Sequence, residues 1–325
     1  MKTVVNSAVA GALAASCGMA LAQKPAPTDY PTKPIRVVVP QAPGGSNDIM
    51  ARFIGGVIGE RWRTQVVVDN RPGAEGMIGS ELVARAAPDG YTLLQASTAF
   101  VMNPAMMKKL PYDSLKDFNF AAVFGRGPVL VAVGPSLSSV NSLKDLIALG
   151  KSKPNFITMA SAGGFNHFVS AMFRSHAGFD ATIALYKGGG PALIDVMGGH
   201  VHMSVPTVVT AGPHLRTGKL RALAISNPRR LNLLPEVPTM AEAGLPSYDA
   251  SIWWGWAAPA GTPRAILMKF NDEIASILKT PEGIKRFAAE GAEPEMRAFA
   301  EIPAMIKSDI AKWAKVADDA KMPKI

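Results

Sequence analysis

Three glycine-rich loops carry the polar side chains best placed to do chemistry: Pro43-Gly44-Gly45-Ser46-Asn47-Asp48, Ser161-Ala162-Gly163-Gly164-Phe165-Asn166-His167 and Tyr186-Lys187-Gly188-Gly189-Gly190-Pro191. Each stands where an apolar, strand-like run gives way to an amphipathic, helix-like one. That setting favours anion binding. Paired glycines let the backbone come close to a bound group, and the first turn of the next helix offers unpaired N–H donors and a partial positive charge. A carboxylate suits such a place. The competing reading is local: Ser46 or Asn47 is a plain N-cap with Asp48 complementing the helix dipole, and each glycine run is a tight turn.

Covalent and metal chemistry find little support. The glycine spacing matches neither the dinucleotide fingerprint nor the P-loop, because no Lys-Ser or Lys-Thr follows. No nucleophile elbow is present, and Ser161 with His167 six residues on has no third group to complete a triad, so no catalytic residue is assigned. His200 and His202 share one face of a strand but have no acidic or cysteine partner at ligand spacing, so neither a metal site nor a cofactor is expected. Trp253, Trp254 and Trp256 either line a pocket or belong to a core.

The elements that hold these loops alternate. Ile35 to Val39 reads as a buried strand ended by Pro40, and apolar residues from Ile49 to Trp62 then recur at helical spacing. Val66 to Val68 is a second strand, a helix runs from about Met77 to Ala86, and Tyr91 to Gln95 is a third strand. Further on, Val129 to Val133, Phe156 to Ala160, Ala181 to Tyr186, Val201 to Val205 and Leu220 to Ile225 are strand-like. Between them fall helices capped by Ser142 and spanning His167 to His176 and Pro191 to Met197. Past Pro263 the pattern is helical only. Such alternation predicts an α/β protein of mainly parallel sheets flanked by helices.

Of the 325 residues, the first 22 read as a secretory signal peptide: Lys2 is the basic start, an apolar run extends through Ala14, and Ala20-Leu21-Ala22 is a small-x-small cleavage site. Cleavage after Ala22 removes the only cysteine, Cys17, and leaves about 300 residues, enough for two compact domains. Leu13-Ala14-Ala15-Ser16-Cys17 faintly resembles a lipobox, the one competing reading of this segment. The net charge is +9, but the basic residues are scattered and not interleaved with aromatics, so an anionic small ligand is expected and a nucleic acid is not.

A run of ordered segments carries a resemblance over nearly all of the chain beyond the signal. They are Tyr30-Pro-Thr-Lys-Pro-Ile35, Pro40-x-Ala-Pro-Gly-Gly-Ser-x-Asp48, Asn70-Arg-Pro-Gly-Ala74, Ala87-Pro-Asp-Gly-Tyr-Thr-Leu93, Tyr186 to Leu193, Gly218-Lys-Leu-Arg-Ala-Leu-Ala224, Pro235-Glu-Val-Pro-Thr239, Glu242-Ala-Gly-Leu-Pro246 and Ala258-Pro-Ala-Gly-Thr-Pro263. The sequence resembles the tripartite tricarboxylate transporter solute receptors, or Bug proteins. That resemblance implies a two-lobed periplasmic binding protein, monomeric, that captures an organic acid and delivers it to the membrane carrier subunits. The alternatives are a ligand-sensing receptor for a signalling partner, a periplasmic enzyme, and a module for another anion such as phosphate.

The lobes are expected at residues 30–127 with 251–325, and at 128–250, joined by strands crossing near Gly127 and Ser251. Position by position, the resemblance places ligand contacts at Pro43, Gly44, Ser46, Asn47 and Asp48 in the first lobe. Those of the second lobe fall at Ser161, Ala162, Gly163, Phe165, Asn166 and His167. The sequence departs from the family twice: its second-lobe loop is short and carries Phe165-Asn166, and Pro206-Thr207 stands where an Asp-Asn pair is frequent. If Phe165, Met77 and the tryptophan run face the cleft, the pocket has an apolar end that favours an aromatic or otherwise apolar carboxylate over citrate or an amino acid.

Overall fold

The computed structural model describes residues 29–319 and Lys324; the signal peptide, its cleavage point and Cys17 lie outside the described residues. In chain order the elements are β1 (Ile35–Val39), α1 (Ser46–Trp62), β2 (Val66–Asn70), α2 (Met77–Ala84), β3 (Thr92–Ser97), α3 (Thr98–Met106) and β4 (Phe118–Pro128). There follow β5 (Leu130–Val133), α4 (Leu143–Ser152), β6 (Thr158–Ser161), α5 (Gly164–Ala177), β7 (Thr182–Leu185), α6 (Gly189–Met197), β8 (Met203–Ser204), α7 (Val208–Arg216) and β9 (Arg221–Ile225). The chain closes with β10 (Ser251–Pro259), α8 (Arg264–Lys279), α9 (Pro281–Ala289), β11 (Glu293–Pro294) and α10 (Ile302–Asp319).

Two sheets, one per lobe, are flanked by these helices. The first has the order β11-β4-β10-β3-β1-β2 and the second β7-β6-β8-β5-β9. Ile35, Val37, Val38 and Val39 of β1 are fully buried between parallel neighbours β2 and β3, which is why that strand reads as an unbroken apolar run. The sheets are mixed, not mainly parallel as expected. Strand β4 carries the chain out of the first lobe, passing directly into β5, and β10 brings it back, so the two connectors lie side by side antiparallel, with Ser251 opposite Pro128. Strand β5 likewise pairs antiparallel with β8 and β9.

Some boundaries also move. Helices α5 and α6 start at Gly164 and Gly189, three and two residues before His167 and Pro191, because the loop residues themselves form the first turn. Helices α3 and α7 are additions to the expected set, and so is the short β11, which lies past Pro263 where only helix is expected. Ser142 caps α4 in a full capping box with Asp145.

The tryptophan run is core. Trp254 and Trp256 are completely buried; Trp256 Nε1 donates to Gln95 Oε1 at 2.8 Å and Trp253 Nε1 donates to Asp309 Oδ2 at 2.8 Å, tying β10 to β3 and α10. Met77 packs against the same core, so neither it nor the tryptophans supply an apolar end to the pocket. Among the described residues no helix is long and apolar enough to cross a membrane.

Candidate functional site

Helix α1 begins at Ser46 after an extended Gly45, and no side chain caps it, so neither Ser46 nor Asn47 is the N-cap that the local reading assigns. The side chains of Asn47 and Asp48 are spent otherwise. Asp48 folds back on its own loop: Oδ2 accepts from the Gly44 amide at 3.0 Å, while Oδ1 accepts from Asn70 Nδ2 at 3.0 Å and pairs with Arg52 at 2.9 Å. Asn47 Nδ2 donates to Gln41 Oε1 at 2.6 Å and to Ser97 Oγ at 3.3 Å. Its Oδ1 is buried without a partner. The amides of Ser46, Asn47 and Asp48, being the first of the helix, have no acceptor within it.

The second-lobe loop is built differently. Ser161 is fully buried and its Oγ accepts from the Gly163 amide at 3.4 Å. Gly163 sits at φ 76°, a left-handed value that glycine adopts freely, and hands over to α5. Phe165 is 2% exposed, and Asn166 Nδ2 donates to Val205 O at 2.8 Å. Burial lowers the His167 pKa below the ordinary imidazole value, against the opposing field of Glu75 and with the help of Arg174. His167 Nδ1 is buried and unpartnered.

The first loop faces the third one across the cleft. The Ala42 amide donates to Lys187 O at 3.0 Å. Backbones approach so closely that a Cβ on Gly190 would stand 2.5 Å from Pro43 O, and one on Gly188 would stand 2.9 Å from Ala42 N. Glycine is required at both positions by this contact. Tyr186, which opens the third loop, donates from Oη to Asp195 Oδ2 at 2.6 Å; burial, then this hydrogen bond, push its phenol up to about 12.

The N-termini of α1, α5 and α6 therefore converge on one cleft, with Thr210 of α7 beside them. They enclose a cavity of about 30 Å³ lined by Ser46, Asn47, Ser97, Phe165, Asn166 and Thr210 among others. That is room for roughly a water or two. A neighbouring chamber of about 170 Å³ is lined by Gln41, Glu75, Ala162, Gly163, Tyr186 and Lys187, and shares Gln41, Ala162 and Gly163 with the smaller cavity.

Of the expected contacts, Ser46, Asn47, Ala162, Gly163, Phe165 and Asn166 line these spaces. Pro43 and Gly44 back onto the third loop, Asp48 braces its own loop, and Ser161 and His167 lie behind the lining. Sequence reasoning missed Gln41, Ser97, Thr210 and Glu75. Ser97 could have been found, since it ends a strand of the sheet on which ligands gather at the carboxyl edge. Thr207, at the family departure, caps α7 by accepting from the Thr210 amide at 3.2 Å. His202 Nδ1 bonds Thr158 Oγ1 at 2.7 Å and His200 is exposed; among the described residues no group of three His, Cys, Asp or Glu side chains could hold a metal.

A lobed α/β fold with helix termini turned into its cleft is what this geometry defines. The signature of the tripartite tricarboxylate transporter family receptor matches residues 50–322, and the chain belongs to that family. It is similar to protein BugT of Bordetella pertussis, 36% identical over 314 residues, which span 95% of each chain. Among solved structures, an R. palustris protein with adipate is 31% identical with a TM-score of 0.87, covering 91% of this chain and 100% of that one. MatC of Rhodopseudomonas palustris with bound malate is 30% identical with a TM-score of 0.83, covering 88% of this chain and 99% of MatC.

Proposed function

We propose that this chain is an exported, monomeric periplasmic receptor, mature from Gln23, that captures an organic acid between its lobes and passes it to the membrane carrier subunits of a tripartite transporter. The observation that carries the reading is the convergence of the α1, α5 and α6 N-termini on one polar cleft. Each such terminus presents about half a positive charge and unpaired amides to an anion. In this reading residues 30–127 with 251–325 form one lobe and 128–250 the other, and the acid lies in the cleft between the two. The structures solved with adipate and malate belong to relatives, and they support a carboxylate as the ligand class.

The acid's carboxylate would take the free amides of Ser46, Asn47 and Asp48, and the buried Asn47 Oδ1 would receive a donor from the ligand or a water. Charge-assisted hydrogen bonds contribute about 1.5–3 kcal/mol each, so three or four account for the ~8 kcal/mol of a micromolar complex. With the tryptophans in the core, Phe165 is the one aromatic ring lining the small cavity, and an aliphatic acid fits better than an aromatic one. The test is thermal unfolding with adipate, malate, hexanoate, benzoate and phosphate, since a ligand at 100 times its Kd adds ~2.7 kcal/mol. An aliphatic acid should raise the Tm. A shift from phosphate alone would overturn the reading.

A further inference from the structure

Glu75 enters the cleft from the first lobe and reaches the second. Its Oε2 accepts from the Gly164 amide, the first of α5, and a Cβ on Gly163 would overlap the same carboxylate. Its main-chain carbonyl is held by Asn103 Nδ2 at 3.3 Å. The residue stands in the left-handed region, φ 55° and ψ 30°, next to Ala74 at φ 46°. Side chains bearing a Cβ rarely adopt that region, so two in succession point to a conformation fixed by what the side chain reaches. What it reaches is the place where an α5 terminus would hold an acid. His167, four residues into the same helix, lies in its field.

We propose that Glu75 seats the chain's own carboxylate on the second lobe's helix N-terminus, bolting the lobes together without ligand and reserving the remaining cleft for an acid with a single anionic group. A dicarboxylate reaches α5 only by displacing Glu75. A monocarboxylate binds the α1 terminus and leaves the bolt in place. The inference rests on the carboxylate-receptor reading for its ligand class, but the bolt itself does not need a ligand.

Two arms test it. Spin labels at Ile194→Cys on α6 and Met268→Cys on α8, both exposed, report the interlobe distance in a Cys17→Ser background. In the ligand-free protein, Glu75→Gly and the isosteric Glu75→Gln should lengthen it, and glycine also suits the left-handed backbone there. Calorimetry then compares hexanoate with adipate: wild type should favour hexanoate, and Glu75→Gly should move the ratio toward adipate by about tenfold or more. An unchanged distance in both variants, or an unchanged ratio, overturns the proposal. If Glu75→Gly opens the lobes yet no variant binds either acid, the bolt stands and the receptor reading falls.

Discussion

The first-lobe loop, Gln41 to Asp48, is braced from within its own lobe, whereas the second-lobe loop, Ser161 to His167, is completed from across the cleft. Asp48 and Asn47 tie the former to Gly44, Asn70, Gln41 and Ser97, all on the first lobe. The latter receives Glu75 from the other lobe at its helix terminus, and the third loop meets Ala42 through a backbone hydrogen bond. The difference teaches that one half of the cleft is set before closure and the other is finished by it. With Glu75 seated, an acid with one anionic group would meet both halves already in place.

Breaking the internal brace has the largest expected effect. Asp48→Ala strands the Gly44 amide, Asn70 and Arg52 together, and should destabilise the protein by about 2–4 kcal/mol in urea unfolding, because hydrogen bonds to charged groups are the strong ones. Gly190→Ala attacks the other half. The backbone of Pro43 cannot yield to a new Cβ, so the lobes should be held apart and affinity should fall at least tenfold, about 1.4 kcal/mol, in calorimetric titration of an aliphatic acid.

A smaller effect sharpens the contrast. Ser46→Ala removes no cap and should cost less than about 0.5 kcal/mol of stability, against the ~1 kcal/mol of a lost N-cap, while weakening acid binding. A full cap-sized loss with unchanged affinity would restore the local reading of that loop. The smallest effect concerns pH. His167 is held below its ordinary pKa by burial, so the unfolded chain takes up its proton first as pH falls, and stability is lost as pH drops below about 6.5. His167→Gln should flatten that decline; His202 and His214, also lowered by burial, keep part of it.

Local pattern made much of this molecule legible. The apolar run of β1, the alternation through β9 apart from α3 and α7, and the capping serine before α4 follow from periodicity and side-chain type, and the glycine loops fall at strand ends where a parallel α/β unit places ligands. What stayed hidden depends on which loops meet in space. The approach of Gly190 to Pro43, and of Glu75 to Gly164, links residues far apart in the chain, and no spacing rule encodes it. The tryptophans illustrate the same limit: an aromatic cluster reads alike as pocket or core until Asp309 and Gln95 are seen to take the indole donors of Trp253 and Trp256, with Trp254 wholly buried between them in sequence. Crossing strands near Gly127 and Ser251 are expected from the resemblance, but their antiparallel pairing as β4 and β10 is not, because alternation reports local units and not how the connectors pair.

The central claim is that the cleft recognises the negative charge of a carboxylate through helix N-termini. Calorimetric titration of an aliphatic acid and of its primary amide, hexanoate and hexanamide, isolates that charge at nearly constant shape. The acid should bind in the micromolar range and the amide about 100-fold more weakly, a difference of ~2.7 kcal/mol, in line with the loss of two charge-assisted hydrogen bonds. Equal affinity for the two, or tighter binding of the amide, would contradict the account.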